Sequence, residues 1–135
     1  MTESDVWKYL RQGLANRCLF TRIESSAGNG VPDVILHFPS KHVFVENKYI
    51  AAWPKRATTL VKLPLRAEQR LWLSTRGKLS GDCWVFIRIE DDFFLLPWDV
   101  ACYLYDRGFT KEQWLKFPYH WYNRIDFNQL YNILT

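Results

Sequence analysis

The stretch GVPDVILHFPSKHVFVENKY, residues 30–49, decides how the rest of the chain is read. Asp33 to Phe38 and His42 to Tyr49 are rich in Val, Ile, Phe and Tyr, residues that suit a pleated, half-buried surface. Pro39-Ser40-Lys41 between them is turn chemistry, so the two runs are expected to lie as hairpin partners. Strand side chains alternate between faces, so Glu46 and Lys48 point the same way, with Phe44 before them. An acid and a lysine on one face of an apolar strand are costly to bury without partners or a metal. Asp33 opens the preceding strand behind Pro32, which stiffens its approach, and in a hairpin it falls near the end of the strand that carries Glu46 and Lys48. Two carboxylates and an ammonium are thereby expected at one edge of a sheet.

Upstream of this stretch, Ser4 or Asp5 can cap a helix reaching about Gln12, with Val6, Trp7, Leu10 and Leu14 at helical spacing and Gly13 marking its end. Cys18 to Glu24 alternates like a strand, and Ser25 to Gly30 reads as a loop. Downstream, the pattern dissolves into a long loop from Ile50 to Pro64, a length that in a compact domain signals function or mobility. Arg66 to Arg76 reads as a helix with Gly77 as its C-cap. Two more strands, Cys83 to Ile89 and Phe93 to Leu96, flank an Asp91-Asp92 turn. Asp99 to Arg107 reads as a helix closed by Gly108. From Thr110 onward the chain is strongly aromatic and is expected to finish in a helix from about Asp126. The order αβββαββα implies an α/β (α+β) fold, a central mixed β-sheet flanked by helices. Residues 1–109 form the expected core and 110–135 an aromatic extension, packed on that core or at a dimer interface, within one domain.

Composition bounds the function. At 135 residues the chain is one domain in size, and 48% apolar with 24% charged residues excludes long disorder. A net charge of +4 fits an anionic partner without establishing one. Cys18, Cys83 and Cys102 are widely spaced in apolar surroundings, which argues for buried free thiols in a reducing compartment. No apolar run reaches membrane-spanning length, and MTESDVWKYL is not a signal peptide, so a cytoplasmic location is expected.

The Asp33–Glu46–Lys48 set suits phosphodiester hydrolysis. Two hard carboxylates are enough protein ligands for Mg²⁺, which keeps several waters. A lysine beside them can hold or help deprotonate a water, or stabilise the charge of the transition state. Singly, each residue reads as ordinary: a surface ion pair for Glu46 with Lys48, a strand-start cap for Asp33. All three in this alternation favour a site. Lys55, Arg56, Lys62, Arg66 and Arg70 follow in sequence; each alone is a solvated charge, and as a cluster they favour contact with DNA phosphates. His37, His42 and His120 lack metal-binding spacing and read as surface or satisfied core residues.

Pro32-Asp33 followed by Glu46-Asn47-Lys48 resembles the PD-(D/E)XK nuclease superfamily, whose core is that of the restriction endonucleases. The runs RIESSAGNGVPDV, VFVENK and LPLRAEQRLWL are similar to its virus-type replication-repair nuclease branch (VRR-NUC) and to Holliday junction resolvases, including phage proteins. The resemblance covers roughly Glu3 to Ile89. It implies a Mg²⁺-dependent DNA endonuclease, with Mn²⁺ as a substitute, a preference for branched or other non-duplex DNA, and a homodimer if four-way junctions are resolved; the alternatives are a monomeric nicking, repair or restriction-like nuclease, and a catalytically silent DNA-binding phage accessory protein. A phage origin would make the location that of a bacterial host. Gln69 matches a glutamine of the following helix, with a role in orienting Lys48 or phosphate, or merely in joining helix to sheet. Asn47 would offer the metal its backbone carbonyl. The family also implies a fourth acid upstream, for which Glu24 is the first choice and Glu3, ahead of the first helix, the second.

Overall fold

The computed structural model describes residues 1–23 and 30–135. Its first helix, α1 (Glu3–Leu14), buries Val6, Trp7, Leu10 and Leu14. Thr2, rather than Ser4 or Asp5, is the cap: its hydroxyl accepts the Asp5 N–H, and the Asp5 carboxylate accepts the Thr2 N–H at 2.8 Å. Gly13 does not end the helix. It lies inside the last turn because the Phe127 ring packs where a Cβ would stand.

Three strands follow as an antiparallel meander: β1 (Leu19–Arg22), β2 (Val34–Phe38) and β3 (Lys41–Ile50). The β2–β3 hairpin forms as the turn chemistry requires, with Phe38 opposite Lys41 and Val34 opposite Val45. β3 then runs on past the start of β2. From Phe44 to Ile50 its other side pairs in parallel with β4 (Cys83–Ile89). A parallel pair needs a crossover, which α2 (Ala67–Ser80) provides. β5 (Asp92–Pro97) returns antiparallel on β4, and β6 (His120–Tyr122) pairs with β5, giving a six-stranded mixed sheet in sequential order.

Two hydrophobic layers sandwich that sheet. On one side α1 and α5 (Phe127–Leu134) pack over Val43, Val45, Phe86, Phe93 and Leu95. On the other, α2, α3 (Trp98–Asp106) and the short α4 (Lys111–Leu115) cover Val85, Ile87, Ile89, Phe94 and Leu96. The segment after Thr110 supplies β6 and buries Trp114, Trp121, Ile125, Leu130 and Leu134. Its last helix begins where expected, with the Asp126 carboxylate accepting the N–H groups of Asn128 and Gln129. Neither α4 nor β6 was apparent in the sequence pattern.

Gly77 is a correction. α2 continues to Ser80 and is closed by Gly81 in the left-handed conformation, φ 72°. Gly77 sits within the helix, where the Trp98 ring leaves no room for a Cβ. The other boundaries shift by one or two residues: α3 starts at Trp98 and ends at Asp106, with Arg107 rather than Gly108 at its C-cap.

The long connection before α2 is held down rather than loose. The Trp53 indole N–H donates to Asp92 at 2.9 Å, the Val61 N–H to Phe109 C=O at 2.7 Å, and the Leu63 N–H to Leu104 C=O at 3.1 Å. Cys83 and Cys102 are buried and Cys18 half-buried, none in a disulfide; burial pushes the Cys83 thiol up to about 12 and that of Cys18 to about 11. No helix among the described residues is long and apolar enough to cross a membrane.

Candidate active site

The stagger between β2 and β3 makes the site. Because β2 begins at Val34, opposite Val45, β3 beyond that point presents an open edge on the β2 side. Asp33 stands in the opening, and its Oδ2 accepts the Asn47 N–H at 3.1 Å, replacing a strand partner with a carboxylate. Main-chain N–H and C=O of one strand residue face the same neighbour, so the Asn47 carbonyl turns to the same edge. Gly30, at φ +79°, brings the chain here against the backbone of Glu68 at the start of α2, a closeness that no Cβ would allow.

Glu46 and Lys48 share the face of β3 that α2 covers, and both are buried, with relative exposures of 2% and 8%. The Lys48 Nζ lies 3.3 Å from Glu46 Oε2 and 3.9 Å from Glu3 Oε1. Gln69 completes the set. Its Oε1 accepts the Arg66 N–H at 2.8 Å in the N-terminal turn of α2, which leaves its Nε2 to donate to Glu46 Oε2 at 3.1 Å. Gln69 therefore joins helix to sheet, one of the roles expected from sequence, and also caps α2; its amide touches Glu46 and not Lys48.

The electrostatics of this group are unbalanced. Burial, then the nearby charge of Asp33, pushes the Glu46 carboxyl up to about 8, despite the opposing pull of Lys48. Glu46 Oε1 is buried and has no hydrogen-bond partner among the described residues. Unsatisfied buried carboxylate oxygen is costly unless something positive completes it. Three carboxyl groups, Glu3, Asp33 and Glu46, thus gather at this edge around Lys48, with Arg22 in the pocket beside Asp33. A divalent cation fits that set: carboxylates and a main-chain carbonyl are hard oxygen donors, and Mg²⁺ requires only one or two carboxylates. No cluster of three or more His, Cys, Asp or Glu side chains in a metal-holding arrangement exists among the described residues.

Beside Asp33 opens a pocket of about 140 Å³ lined by Glu3, Ser4, Trp7, Arg22, Val34 and Asn47. The Asn47 side chain, as the strand alternation implies, faces away from Glu46, and its amide is buried there without a hydrogen-bond partner among the described residues. Arg22 was missed in sequence; what marks it is its place at the end of β1, opposite Val34. Glu24 lies outside the described residues. Glu3 is brought to Lys48 because the start of α1 meets the open edge of β3.

The basic cluster divides. Lys55, Arg56 and Lys62 are exposed. Arg66 pairs with Glu68 at 3.1 Å, and Arg70 is held by Asp106 through two hydrogen bonds of 3.0 and 2.7 Å. Lys55 instead joins Lys111 and Lys116, which sequence reading did not single out, along a groove with Pro54, Leu115 and Glu112, the last paired with Lys116 at 3.2 Å. Lys111 Nζ lies 5.5 Å from the centre of the Trp53 ring.

No family model matches the chain, and no curated protein matches it. Solved structures do. One is Hjc of Archaeoglobus fulgidus, a Holliday junction resolvase from an archaeal hyperthermophile. It superposes with a TM-score of 0.55 at 15% sequence identity, over 82% of this chain and 85% of that one. The fold is accordingly α+β, a mixed six-stranded sheet with helices on both sides, matching the restriction-endonuclease-like fold of that resolvase.

Proposed function

We propose that this chain is a metal-dependent DNA endonuclease of the PD-(D/E)XK kind, acting on branched DNA. The observation that carries the reading is the buried Glu46–Lys48 pair, steadied by Gln69, at the open strand edge that Asp33 occupies. A structural ion pair would have no need of a second carboxylate or of an unpartnered buried oxygen. The fold it shares with a junction resolvase supports the substrate class.

Asp33, Glu46 and the Asn47 carbonyl would hold Mg²⁺, with Mn²⁺ able to replace it. Such an ion would acidify a bound water and neutralise charge on the phosphoryl oxygens. Gln69 fixes the Glu46 carboxylate so that one oxygen stays free for this role. Lys48, between Glu46 and Glu3, orients the attacking water and stabilises the negative charge that builds on the phosphorus oxygens. Glu3 serves as the third, upstream acid. Lys55, Arg56, Lys62, Lys111 and Lys116 steer the phosphate backbone, and Arg22 meets it beside Asp33. Paired cuts across a four-way junction need two sites related by a twofold axis, hence a homodimer.

Purified protein should cut a four-way junction in preference to flap, single-stranded and plain duplex DNA when Mg²⁺ or Mn²⁺ is present, and EDTA should stop it. Glu46→Ala and Lys48→Ala should abolish cutting yet still shift the junction in a gel. Cutting by both variants at the parental rate would dismiss the site. A preference for plain duplex would remove the branched substrate, and a monomer mass at working concentration the paired cuts.

A further inference from the structure

The β2–β3 hairpin has a second cluster at its other end. His37 and His42 lie opposite one another, and their Nδ1 atoms are 2.7 Å apart with the rings nearly perpendicular, interplanar angle 76°. The third member comes from β1: Thr21 Oγ1 is 2.7 Å from His37 Nε2. His42 is exposed and His37 half-buried, so the pair is open to solvent on one side. Neither the proposed nuclease chemistry nor the hydrophobic layers use it.

We infer that His37 and His42 form a chelating site for a transition-metal ion, of the Cu²⁺, Ni²⁺ or Zn²⁺ class, with Thr21 as its positioning residue. Imidazole nitrogen prefers these ions, while Mg²⁺ prefers oxygen. With metal–nitrogen bonds of about 2.0 Å, two cis ligands at a right angle stand about 2.8 Å apart and two tetrahedral ligands about 3.3 Å. The observed spacing is that of the right-angle case, as tetragonal Cu²⁺ and Ni²⁺ require; the two nitrogens now face each other across a hydrogen bond, so each ring turns by roughly 45° to aim its lone pair at a shared ion. When the Thr21 hydroxyl accepts the His37 Nε2 proton, the Nδ1 lone pair is left free, which is how an outer-shell partner selects a ligand's tautomer. The proton now shared between the two Nδ1 atoms moves to His42 Nε2, so both rings bind as neutral ligands. Water completes the coordination. Cys18, nearby on the same rim, is turned away from the pair, its thiol donating to the Leu14 carbonyl.

Such an ion ties β2 to β3 beside their turn and, through Thr21, steadies the edge strand β1. At about 3.3 Å per residue, His37 is roughly 13 Å along β2 from Asp33. The two sites are separate and select different metals, so this inference stands whether or not the chain cuts DNA.

The test uses the whole protein with Cu²⁺ or Zn²⁺ alone. One equivalent of Cu²⁺ should give an electron paramagnetic resonance signal with coupling to two nitrogens, and Zn²⁺ should raise the melting temperature, with Mg²⁺ unable to compete at equal concentration. His37→Asn and His42→Asn should each weaken Cu²⁺ binding at least tenfold and remove the two-nitrogen coupling, while Mg²⁺-supported DNA cutting, where present, stays unchanged. Thr21→Val should weaken it about tenfold with both nitrogens still coupled. Circular dichroism of the variants matching the parent keeps a folding defect from imitating the result. Unchanged affinity in His42→Asn, a signal without nitrogen coupling, or displacement by Mg²⁺ would each overturn the assignment.

Discussion

Replacing Glu46 with Gln isolates the electrostatic strain at the centre of the site. In the metal-free protein the Glu46 carboxyl titrates near 8, mainly because burial disfavours its charge and secondly because Asp33 is close. In the unfolded chain it titrates at its ordinary value, 4.5. Between those limits the folded state holds a proton that the unfolded state has lost, so raising the pH favours unfolding. Each pH unit in that window removes about 1.4 kcal/mol. From pH 5.5 to 7.5 the wild type should lose roughly 3 kcal/mol relative to Glu46→Gln, which keeps the shape and the Gln69 contact but cannot ionise. Urea unfolding in EDTA at four pH values between 5.5 and 8.5, parent and variant side by side, measures this difference. Saturating Mg²⁺ should flatten the parent's fall, because the ion binds the charged carboxylate and stabilises only the folded state. It should leave the variant nearly unmoved. A parent–variant difference independent of pH would mean that Glu46 ionises normally in the fold, and the account of a strained, cation-seeking carboxylate would be refuted.

Gln69→Leu removes the hydrogen bond to Glu46 and the cap at Arg66, and should cost about 1–2 kcal/mol by urea unfolding, with cutting weakened through a lower turnover rather than weaker DNA binding. Gly77→Ala drives a methyl group into the Trp98 ring and should cost about 1–3 kcal/mol, read as a lower melting temperature with the active site intact. Asp92→Ala strands both the Trp53 indole N–H and His120, which lies 2.7 Å from that carboxylate; the connection carrying Lys55 should loosen, seen as faster amide exchange across residues 51–62.

The hairpin and the grouping of Asp33, Glu46 and Lys48 were legible because two independent signals coincided: period-two alternation on either side of a proline turn, and polar residues at two same-face positions of an apolar strand. Register follows from such a turn, so Asp33 could be placed near Glu46. What failed was local punctuation. Gly77 and Gly13 look like helix stops in sequence, but each is small because a ring from elsewhere in the fold, Trp98 or Phe127, takes the space. β6 is three residues long and exists only because β5 offers it an edge, so no periodicity announces it. The position of Glu3 depends on how α1 docks, a tertiary fact. His37 and His42 lack metal spacing along the chain, but folding the sequence about Pro39-Ser40 puts them face to face.

The overhang of β3 has a consequence for solubility as well as for chemistry. A bare strand edge is a template on which a stray extended segment can pair, and proteins guard such edges with charge. Here the guard is the Asp33 carboxylate on the Asn47 N–H. Metal ligand and gatekeeper would then be one side chain, so losing it would harm the protein twice: once in its reaction, and once by leaving the edge free to recruit another chain.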